Sequence, residues 1–278
     1  MAYSKIEVTP YGGAVGAEVG GVDLGELDNE TFAEIEQALY ENLVLFFHDQ
    51  DITEDEQVAF AARFGPIGYY PFVEGLRDHP EIVPVLKEAG ESLNFGGVWH
   101  SDTAYLEKPP MGSVLYAKEL PPVGGDTLWS NMYLAYERLS GGMKDVLDGL
   151  KAVNSSRKGP AAITREARIE DHGKEDAADY YEAVHPAIRI HPATGKKAIY
   201  VNIGHTANFE GMTEEESAPI LNYLFEHAIR PEFTCRFKWE VGDVAVWDNR
   251  CAQHYAMNDY HGHRRLMHRV TIEGEAPA

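Results

Sequence analysis

The stretch "RRLMHRVTI" at residues 264–272 carries the clearest structural pattern in this chain of 278 residues. Successive side chains of a β-strand point to opposite faces, so alternate residues share a face. One face here carries leucine, histidine, valine and isoleucine, and the other carries Arg265, Met267, Arg269 and Thr271. The pattern predicts a strand with two arginines on one face, about 13 Å apart at about 3.3 Å per residue.

Other stretches extend this strand into a sheet. In "TCRFKWEV" (234–241), Cys235, Phe237, Trp239 and Val241 alternate with charged residues, as expected of a strand with one buried face. Short apolar runs with strand composition follow at 243–249 and occur earlier at 43–47, 111–120 and 196–204. These stretches predict an antiparallel β architecture.

Four stretches predict helices around this sheet, at residues 28–42, 54–65, 131–140 and 214–229. Thr53 and Thr213 each precede a glutamate by three residues, which is the capping box that starts a helix. The third helix is predicted to end at the pair Gly141-Gly142, and the fourth at Pro231. The predicted fold class is therefore mainly β with peripheral helices.

The composition limits the classes of partner. Lys and Arg number 24 against 45 Asp and Glu, and the net charge of −21 repels nucleic acid and anionic lipid. The start of the chain does not have the pattern of a signal peptide, and no apolar stretch approaches the length of a membrane span, so we expect a soluble cytoplasmic protein. The two cysteines, Cys235 and Cys251, are too few for a disulfide framework or a thiolate zinc site, and we expect both to be buried.

The domain organisation is predicted to be simple. No internal repeat and no Gly/Ser-rich or Pro-rich linker divides the sequence, so we expect a single domain over 1–278. Residues 156–184 are highly charged and weakly patterned. We interpret them as a lid or a surface excursion, because long loops in compact domains are usually functional or mobile.

The stretch "NFGGVWHSDTAY" (94–105) contains a histidine and an aspartate two positions apart, His100 and Asp102. In extended structure both side chains point to the same face. His254 in "WDNRCAQHYA" is the best candidate for a third ligand, since it follows a buried-strand pattern and precedes the strand with the arginines. Two imidazoles and one carboxylate leave three positions of an octahedron open, which is typical of non-haem Fe(II) oxygenases.

The open positions suggest a role for the arginines. If a 2-oxo acid fills two of them, its far carboxylate needs a fixed cation, and Arg265 offers two parallel N–H donors. Thr127 in the turn "GGDTLW" is a candidate hydroxyl donor to the same carboxylate. Arg269, on the same strand face, suggests a second anion.

These residues carry a resemblance to a known family. The motifs "WHSD" (99–102), "GGDTLW" (124–129), "WDNRCAQHYAMNDY" (247–260) and "RRLMHRVTI" resemble those of the TauD/TfdA family of Fe(II)- and 2-oxoglutarate-dependent dioxygenases, as do "GAVGAEVGGVDL" and "LVLFFHDQDIT" nearer the start. The resemblance implies a double-stranded β-helix, or cupin-like jelly roll. It also implies Fe(II) on His100, Asp102 and His254, 2-oxoglutarate on Thr127 and Arg265, and an acidic group of the substrate on Arg269. Homo-oligomers are common in this family, so we expect one here.

Departures from the family pattern concern the substrate. Taurine-type members have a substrate-contacting histidine where this chain has Tyr69 or Tyr70, and a phenylalanine where this chain has His205. Asn94 is spaced differently from the asparagine that those members use. We therefore take Tyr70, Asn94 and His205 as candidate substrate contacts and expect a small anionic organic substrate other than taurine, such as a sulfonate, a sulfate ester or an aryloxy acid.

The implied reaction consumes O2 and 2-oxoglutarate, releases succinate and CO2, and hydroxylates a C–H bond of the substrate. Where the hydroxylated carbon bears a sulfonate or an ether oxygen, the product falls apart and a C–S or C–O bond is cleaved. Protein residues beyond the metal ligands are not expected to act as nucleophile or general base.

Three alternatives stay open at this point. A metal-dependent hydrolase would use similar ligands but would need a general acid or base beside the bound water. A non-catalytic jelly roll would bind a metabolite without consuming O2. A halogenase is disfavoured because Asp102 fills the position that a halide would need.

Overall fold

The computed structural model describes residues 3–157, 161–163, 165–166, 173–174 and 180–278. Most of the segment 156–184, interpreted above as a lid, therefore lies outside the described residues. Of its described part, residues 182–184 belong to a β-strand, Glu182–Pro186, rather than to a loop. Among the described residues, no helix combines the length and the apolar character needed to cross a bilayer.

The described part of the chain is mainly β, as predicted. Its strands are β1 (Glu7–Pro10), β2 (Ala17–Gly20), β3 (Val44–Phe47), β4 (Ile67–Gly68), β5 (Ile82–Lys87), β6 (Gly112–Glu119), β7 (Thr127–Asn131), β8 (Lys151–Ser155), β9 (Glu182–Pro186), β10 (Ile188–Ile190), β11 (Lys197–Ile199), β12 (Thr206–Phe209), β13 (Thr234–Phe237), β14 (Val244–Asp248), β15 (Ala252–Ala256) and β16 (Arg265–Ile272).

The helices lie between these strands and are α1 (Asn29–Asn42), α2 (Glu54–Ala62), α3 (Met132–Glu137), α4 (Gly141–Leu147) and α5 (Glu214–Ala228), with a 3-10 turn at Pro231–Phe233. Both capping boxes are present: the Thr53 hydroxyl accepts from Glu56 N, and the Thr213 hydroxyl accepts from Glu216 N. These bonds satisfy backbone donors that the first helical turn leaves unpaired.

The largest sheet has eight strands, and β16 lies between β6 on one side and β4 and β5 on the other. Its order is β1-β2-β3-β14-β6-β16-β4, and β5 also pairs with β16. A second sheet has the order β13-β7-β15. The remaining pairings are β12-β8-β9 and β10-β11. All of these pairings are antiparallel except that of β2 with β3.

The large sheet is buried on both faces. One face packs toward the second sheet, in a core that contains Phe46, Trp129, Trp247 and Met267. The other face packs on α1 and α2 through a separate core that contains Phe47, Phe60 and Val270. Strand β16 therefore contributes to both cores, and the face that carries the arginines is an interior face.

The structure corrects four predictions. Helix α3 ends at Glu137, and Gly141 opens α4, with the Ser140 hydroxyl accepting from Met143 N. The strand predicted over 196–204 spans only Lys197–Ile199. Val241 lies beyond the end of β13 and is 62% exposed, because the strand gives way to a turn. Asp102 lies in a turn rather than in extended structure.

Candidate active site

His100, Asp102 and His254 meet at one point in the interior. His100 and His254 form an isolated β-bridge, in which each backbone N–H donates to the other residue's carbonyl, at 3.1 and 2.9 Å. The Nε2 atoms of His100 and His254 lie 3.6 and 3.8 Å from Asp102 Oδ1. One ligand atom from each residue lies within 4.8 Å of the others, so the three side chains could hold a single metal ion.

A clamp of backbone and side-chain bonds sets the position of Asp102. Its N–H donates to Asn249 Oδ1 at 2.6 Å, and Asn249 Nδ2 donates back to the Asp102 carbonyl at 3.1 Å. The Ser113 hydroxyl donates to Asp102 Oδ2 at 3.1 Å, which leaves Oδ1 facing the histidines. The next residue, Thr103, has a φ of 42°. This left-handed conformation belongs to the turn in which Asp102 lies.

The protonation states suit a divalent cation. His100 Nδ1 lies 2.7 Å from the Val98 carbonyl, which favours the tautomer whose Nε2 is unprotonated. Burial, together with the neighbouring His100, lowers the pKa of His254 to about 3. Burial alone would raise the pKa of Asp102, but Arg269 and His254 hold it well below its ordinary value. A carboxylate with two imidazoles is a ligand set that fits Fe(II).

Arg265 and Thr127 line a cavity beside this cluster, together with His100, His254 and Trp247. The guanidinium of Arg265 is buried, and its Nε and Nη2 have no hydrogen-bond partner among the described residues. The Thr127 hydroxyl accepts from Trp239 Nε1 at 3.0 Å, so its own proton is free to be donated into the cavity. These unpaired donors fit the carboxylate of a 2-oxo acid.

The glycine pair of "GGDTLW" lets the backbone approach Arg265 closely. A Cβ at Gly125 would lie 3.1 Å from Arg265 Cδ, and the residue has a φ of 74°. Both conditions favour glycine, so the loop can close over the arginine side chain.

Arg269 is buried next to the cluster and lines the cavity of Arg265 and Thr127 as well as two further cavities. Its Nη1 lies 3.4 Å from Asp102 Oδ1, and its guanidinium lies over the rings of Tyr70 and Phe95 at 5.1 and 5.5 Å. Of the two candidate tyrosines, Tyr70 is 7% exposed and contacts this site, whereas Tyr69 is 56% exposed. Both Arg265 and Arg269 are buried, so neither is a solvent-exposed charge on the strand.

His205 also lies at the site, whereas the Asn94 side chain bonds to the backbone nearby. The His205 ring is 5.9 Å from that of His100, it lines a cavity with Arg269 and Tyr70, and its Nδ1 has no partner among the described residues. Asn94 Nδ2 instead donates to the carbonyls of Ala256 and Met257 at 2.9 and 3.3 Å. Asn94 is not among the described residues that line these cavities, so its predicted substrate contact stays a prediction.

Several residues at the site are not predicted from the sequence. Arg165 is buried, lies 4.8 Å over Phe72, and lines the cavity of His205 and Arg269. Tyr105 lines the same cavity. A larger cavity of about 350 Å³ adjoins Asp102 and Arg269 and reaches Lys108. No motif distinguishes these residues in the sequence, since their place depends on the packing of loops.

A second buried group, His191, Asp248 and Cys251, has metal-ligand chemistry but is already satisfied. Asp248 accepts from Arg250 Nε and Nη2 at 2.8 and 2.7 Å, and it lies 2.8 Å from His191 Nε2. His191 Nδ1 accepts two backbone N–H bonds, which places its proton on Nε2. Both cysteines are free and buried, as predicted. We interpret this group as an internal ion-pair network.

Comparison with known proteins assigns the chain to a family. Residues 7–271 match the profile of "Taurine catabolism dioxygenase TauD, TfdA family". An alpha-ketoglutarate-dependent sulfate ester dioxygenase of Pseudomonas putida is 36% identical, with 98% of this chain and 91% of that protein covered. An alkylsulfatase of Acinetobacter baylyi is 35% identical, with 98% and 86% covered.

A solved structure gives the same assignment. The crystal structure of a taurine dioxygenase from Burkholderia xenovorans superimposes with a TM-score of 0.84 at 36% identity, covering 99% of this chain and 93% of that one. The family profile and the curated relatives span nearly the whole chain. This chain therefore belongs to the TauD/TfdA family and is a dioxygenase that uses Fe(II), 2-oxoglutarate and O2.

Proposed function

We propose that this enzyme hydroxylates a small anionic organic substrate, and that the substrate is a sulfate ester. The observation that carries the proposal is the buried guanidinium of Arg269, which faces cavities beside the His100, Asp102 and His254 cluster. Two of the curated relatives are named for sulfate ester chemistry. Sulfonates and aryloxy acids are the other anions that relatives of this chain are named for.

In this proposal His100, Asp102 and His254 hold Fe(II), and Thr127 and Arg265 hold the distal carboxylate of 2-oxoglutarate. Bound iron and 2-oxoglutarate supply the oxidising chemistry, in which O2 is consumed and succinate and CO2 are released. The protein contributes geometry: the Val98 carbonyl orients His100, and Asn249 and Ser113 orient Asp102. Supporting these roles are the convergent ligand atoms and the unpaired N–H groups of Arg265.

Arg269 would bind the anionic head of the substrate, and Tyr70 and His205 line the same cavity. Burial lowers the pKa of His205 well below its ordinary value, so this ring offers hydrogen bonds without a charge. The cavity of about 350 Å³ next to Arg269 is large enough for an organic tail. Hydroxylation of the carbon next to the ester oxygen would leave an unstable product, which collapses to a carbonyl compound and sulfate.

We also infer that the eight-stranded sheet and the β13-β7-β15 sheet form a double-stranded β-helix. Supporting this inference is the shared core between them, in which Phe46, on the large sheet, contacts Trp129, on the second sheet, with ring centroids 5.3 Å apart. A barrel of this kind places side chains of facing strands around one interior site.

A substrate-triggered assay tests the proposal. The purified enzyme, with Fe(II) and 2-oxoglutarate, is mixed with an alkyl sulfate, the alkyl sulfonate of equal chain length, or an aryloxy acid, under air and under argon. We expect the alkyl sulfate to stimulate succinate formation under air, with sulfate and aldehyde in equal amounts. Stimulation by the sulfonate or the aryloxy acid alone would overturn the sulfate ester assignment and keep the reaction class.

The argon arm separates the alternative functions. A metal-dependent hydrolase would release sulfate without O2, and a non-catalytic jelly roll would release neither sulfate nor succinate. The family assignment favours the dioxygenase over both. A cytoplasmic location, a single domain and a homo-oligomer stay predictions. Light scattering on the eluting protein measures the last of these.

A further inference from the structure

Lys87 is a buried cation that the proposed reaction has not used. It ends strand β5 and is only 2% exposed. Among the described residues, its Nζ has no hydrogen-bond partner and lies 4.3 Å from the centre of the Tyr260 ring. A lysine is almost never fully buried unless it is paired, so we expect an anion to bind next to the Lys87 side chain.

The strand register places Lys87 beside Arg265. The two residues are directly opposite each other in the antiparallel pairing of β5 with β16, so their side chains share a face of the sheet. Val85 lies two residues earlier on β5 and lines the same cavity as Arg265 and Thr127. Because alternate residues of a strand share a face, Lys87 lies on the same face of β5 as Val85, at the end of the strand next to that cavity; Lys87 is not itself among the described residues that line it.

Lys87 and Arg265 both lie near the ring of Tyr260. The Arg265 guanidinium lies 6.0 Å from the centre of the Tyr260 ring that Lys87 contacts. Both groups are buried, and both have N–H donors without a partner in the described part of the chain. Like charges placed side by side away from water repel each other unless an anion lies between or beside them.

Nearby carboxylates are already engaged with another arginine. Asp126 Oδ2 accepts from Arg236 Nε at 2.6 Å. Asp259 accepts from the Gly125 N–H at 2.8 Å and lies 3.4 Å from Arg236 Nη2. Neither carboxylate is a hydrogen-bond partner of Lys87 Nζ or of Arg265 Nε and Nη2, so a carboxylate bound between the two cations would supply the missing acceptor.

We propose that Lys87 is a second cation for the distal carboxylate of 2-oxoglutarate, acting beside Arg265. This inference rests on the role proposed above for Arg265. An ammonium is a point charge, whereas a guanidinium binds a carboxylate through two aligned donors. Arg265 would orient the distal carboxylate, and Lys87 would add electrostatic attraction to it. A 2-oxo acid without a distal carboxylate would gain nothing from Lys87.

The test compares two ligands on one variant. Affinities of 2-oxoglutarate and of 2-oxopentanoate, which has the same chain length but no distal carboxylate, are measured by calorimetry on the Mn(II)-loaded enzyme. For Lys87→Met we expect 2-oxoglutarate to bind about tenfold more weakly and 2-oxopentanoate to bind as it does to the wild type. Retained 2-oxopentanoate binding also shows that the variant is folded. Lys87→Arg should restore most of the lost affinity.

Lys118 supplies the matched control. It is a lysine on the neighbouring strand β6 that lies 4.5 Å over the ring of Tyr116, and it faces away from the cavity. Lys118→Met should leave both affinities unchanged. If the wild type forms succinate but Lys87→Met binds 2-oxoglutarate with unchanged affinity, the inference is wrong. It is also wrong if Lys87→Met loses affinity for 2-oxoglutarate and for 2-oxopentanoate equally. A wild type that forms no succinate with any substrate would instead overturn the proposed function.

Discussion

Arg269 Nη1 lies 3.4 Å from Asp102 Oδ1, so the arginine proposed to bind substrate and the carboxylate proposed to bind metal form one buried ion pair. Arg269 is also one of the groups that hold the pKa of Asp102 low against the effect of burial. Substrate binding and the charge of the metal site are thereby linked through a single contact. This link has direct consequences for variants at either residue.

Replacement of Arg269 by lysine or methionine should affect the substrate more than the cosubstrate. We expect kcat/KM for the anionic substrate to fall by about 100-fold or more, since a buried, paired cation is worth several kcal/mol. Succinate formation in the absence of substrate should persist, because Thr127 and Arg265, which are proposed to hold the distal carboxylate of 2-oxoglutarate, are unchanged.

The control is Arg264→Met, which removes a neighbouring arginine that pairs with Glu88 and is 37% exposed. Steady-state kinetics with varied substrate and varied 2-oxoglutarate distinguish a loss of substrate binding from a loss of 2-oxoglutarate binding. An Arg269→Met enzyme with normal kcat/KM for the substrate would refute this role.

Asp102→Ala should weaken metal binding. Loss of residues that merely orient a ligand costs about 10- to 100-fold in affinity, so loss of the carboxylate itself should cost more than about 100-fold. Mn(II) titration followed by electron paramagnetic resonance measures this loss. Asp55→Ala, at a side chain that is 90% exposed, should bind as the wild type does.

Chloride provides a further outcome for the same variant. If chloride restored succinate formation to Asp102→Ala, the site would accept a halide in place of the carboxylate, and the preference for hydroxylation over halogenation would be wrong.

Stability should depend on pH through buried histidines outside the metal site. Burial, chiefly, lowers the pKa of His185 and of His268 below the ordinary value of 6.5. The unfolded chain therefore binds more protons than the folded one, so the stabilisation is present above pH 6.5 and is lost as the pH falls below it.

His268→Leu isolates one of these contributions. As the pH falls from 7 to 5, the wild type should lose unfolding free energy relative to this variant, by at most about 1.4 kcal/mol per pH unit. Urea titrations at each pH measure the difference. His263→Gln, at an exposed histidine, should follow the wild type at every pH. A gap between wild type and His268→Leu that stayed constant with pH would contradict the prediction.

The enzyme should bind one metal ion, although two buried groups have suitable side chains. Asp248 is engaged by Arg250 and His191, so Cys251→Ala should leave the metal stoichiometry at one. Asp248→Asn should destabilise the fold by about 3 to 5 kcal/mol, since it removes the buried carboxylate that pairs with Arg250 and leaves only the half-exposed Glu275 near that arginine. Metal analysis after dialysis and chemical denaturation measure these effects. Loss of bound metal in Cys251→Ala would show that the metal lies at the second group.

Much of the local structure could be predicted from the sequence because it depends on neighbours along the chain. The capping boxes at Thr53 and Thr213 use residues three apart, and the alternation in β16 follows from strand geometry. The glycines at 141 and 142 were misassigned, since Ser140 can cap a new helix as easily as a glycine pair can end an old one.

Which face of a strand is buried could not be predicted from the alternation of residues alone. Alternation separates Arg265 and Arg269 from Leu266 and Val270, but it does not say that a second sheet covers the arginines. The same holds for Lys87, whose position beside Arg265 comes from the pairing of β5 with β16. The register of two paired strands is set by contacts between residues far apart in the chain. The periodic pattern within one strand does not predict these contacts.

By itself, the sequence determined the mainly β fold class, the starts of α1, α2, α3 and α5, and the residue types of the candidate site: two histidines, one aspartate, and two arginines on a strand. The tertiary structure alone decided that Asp102 sits in a turn clamped by Asn249, that Tyr70 rather than Tyr69 meets Arg269, and that Asn94 bonds to the backbone. The physical reason is that local propensities act over a few residues, whereas the distance between two buried side chains depends on how whole sheets and loops pack.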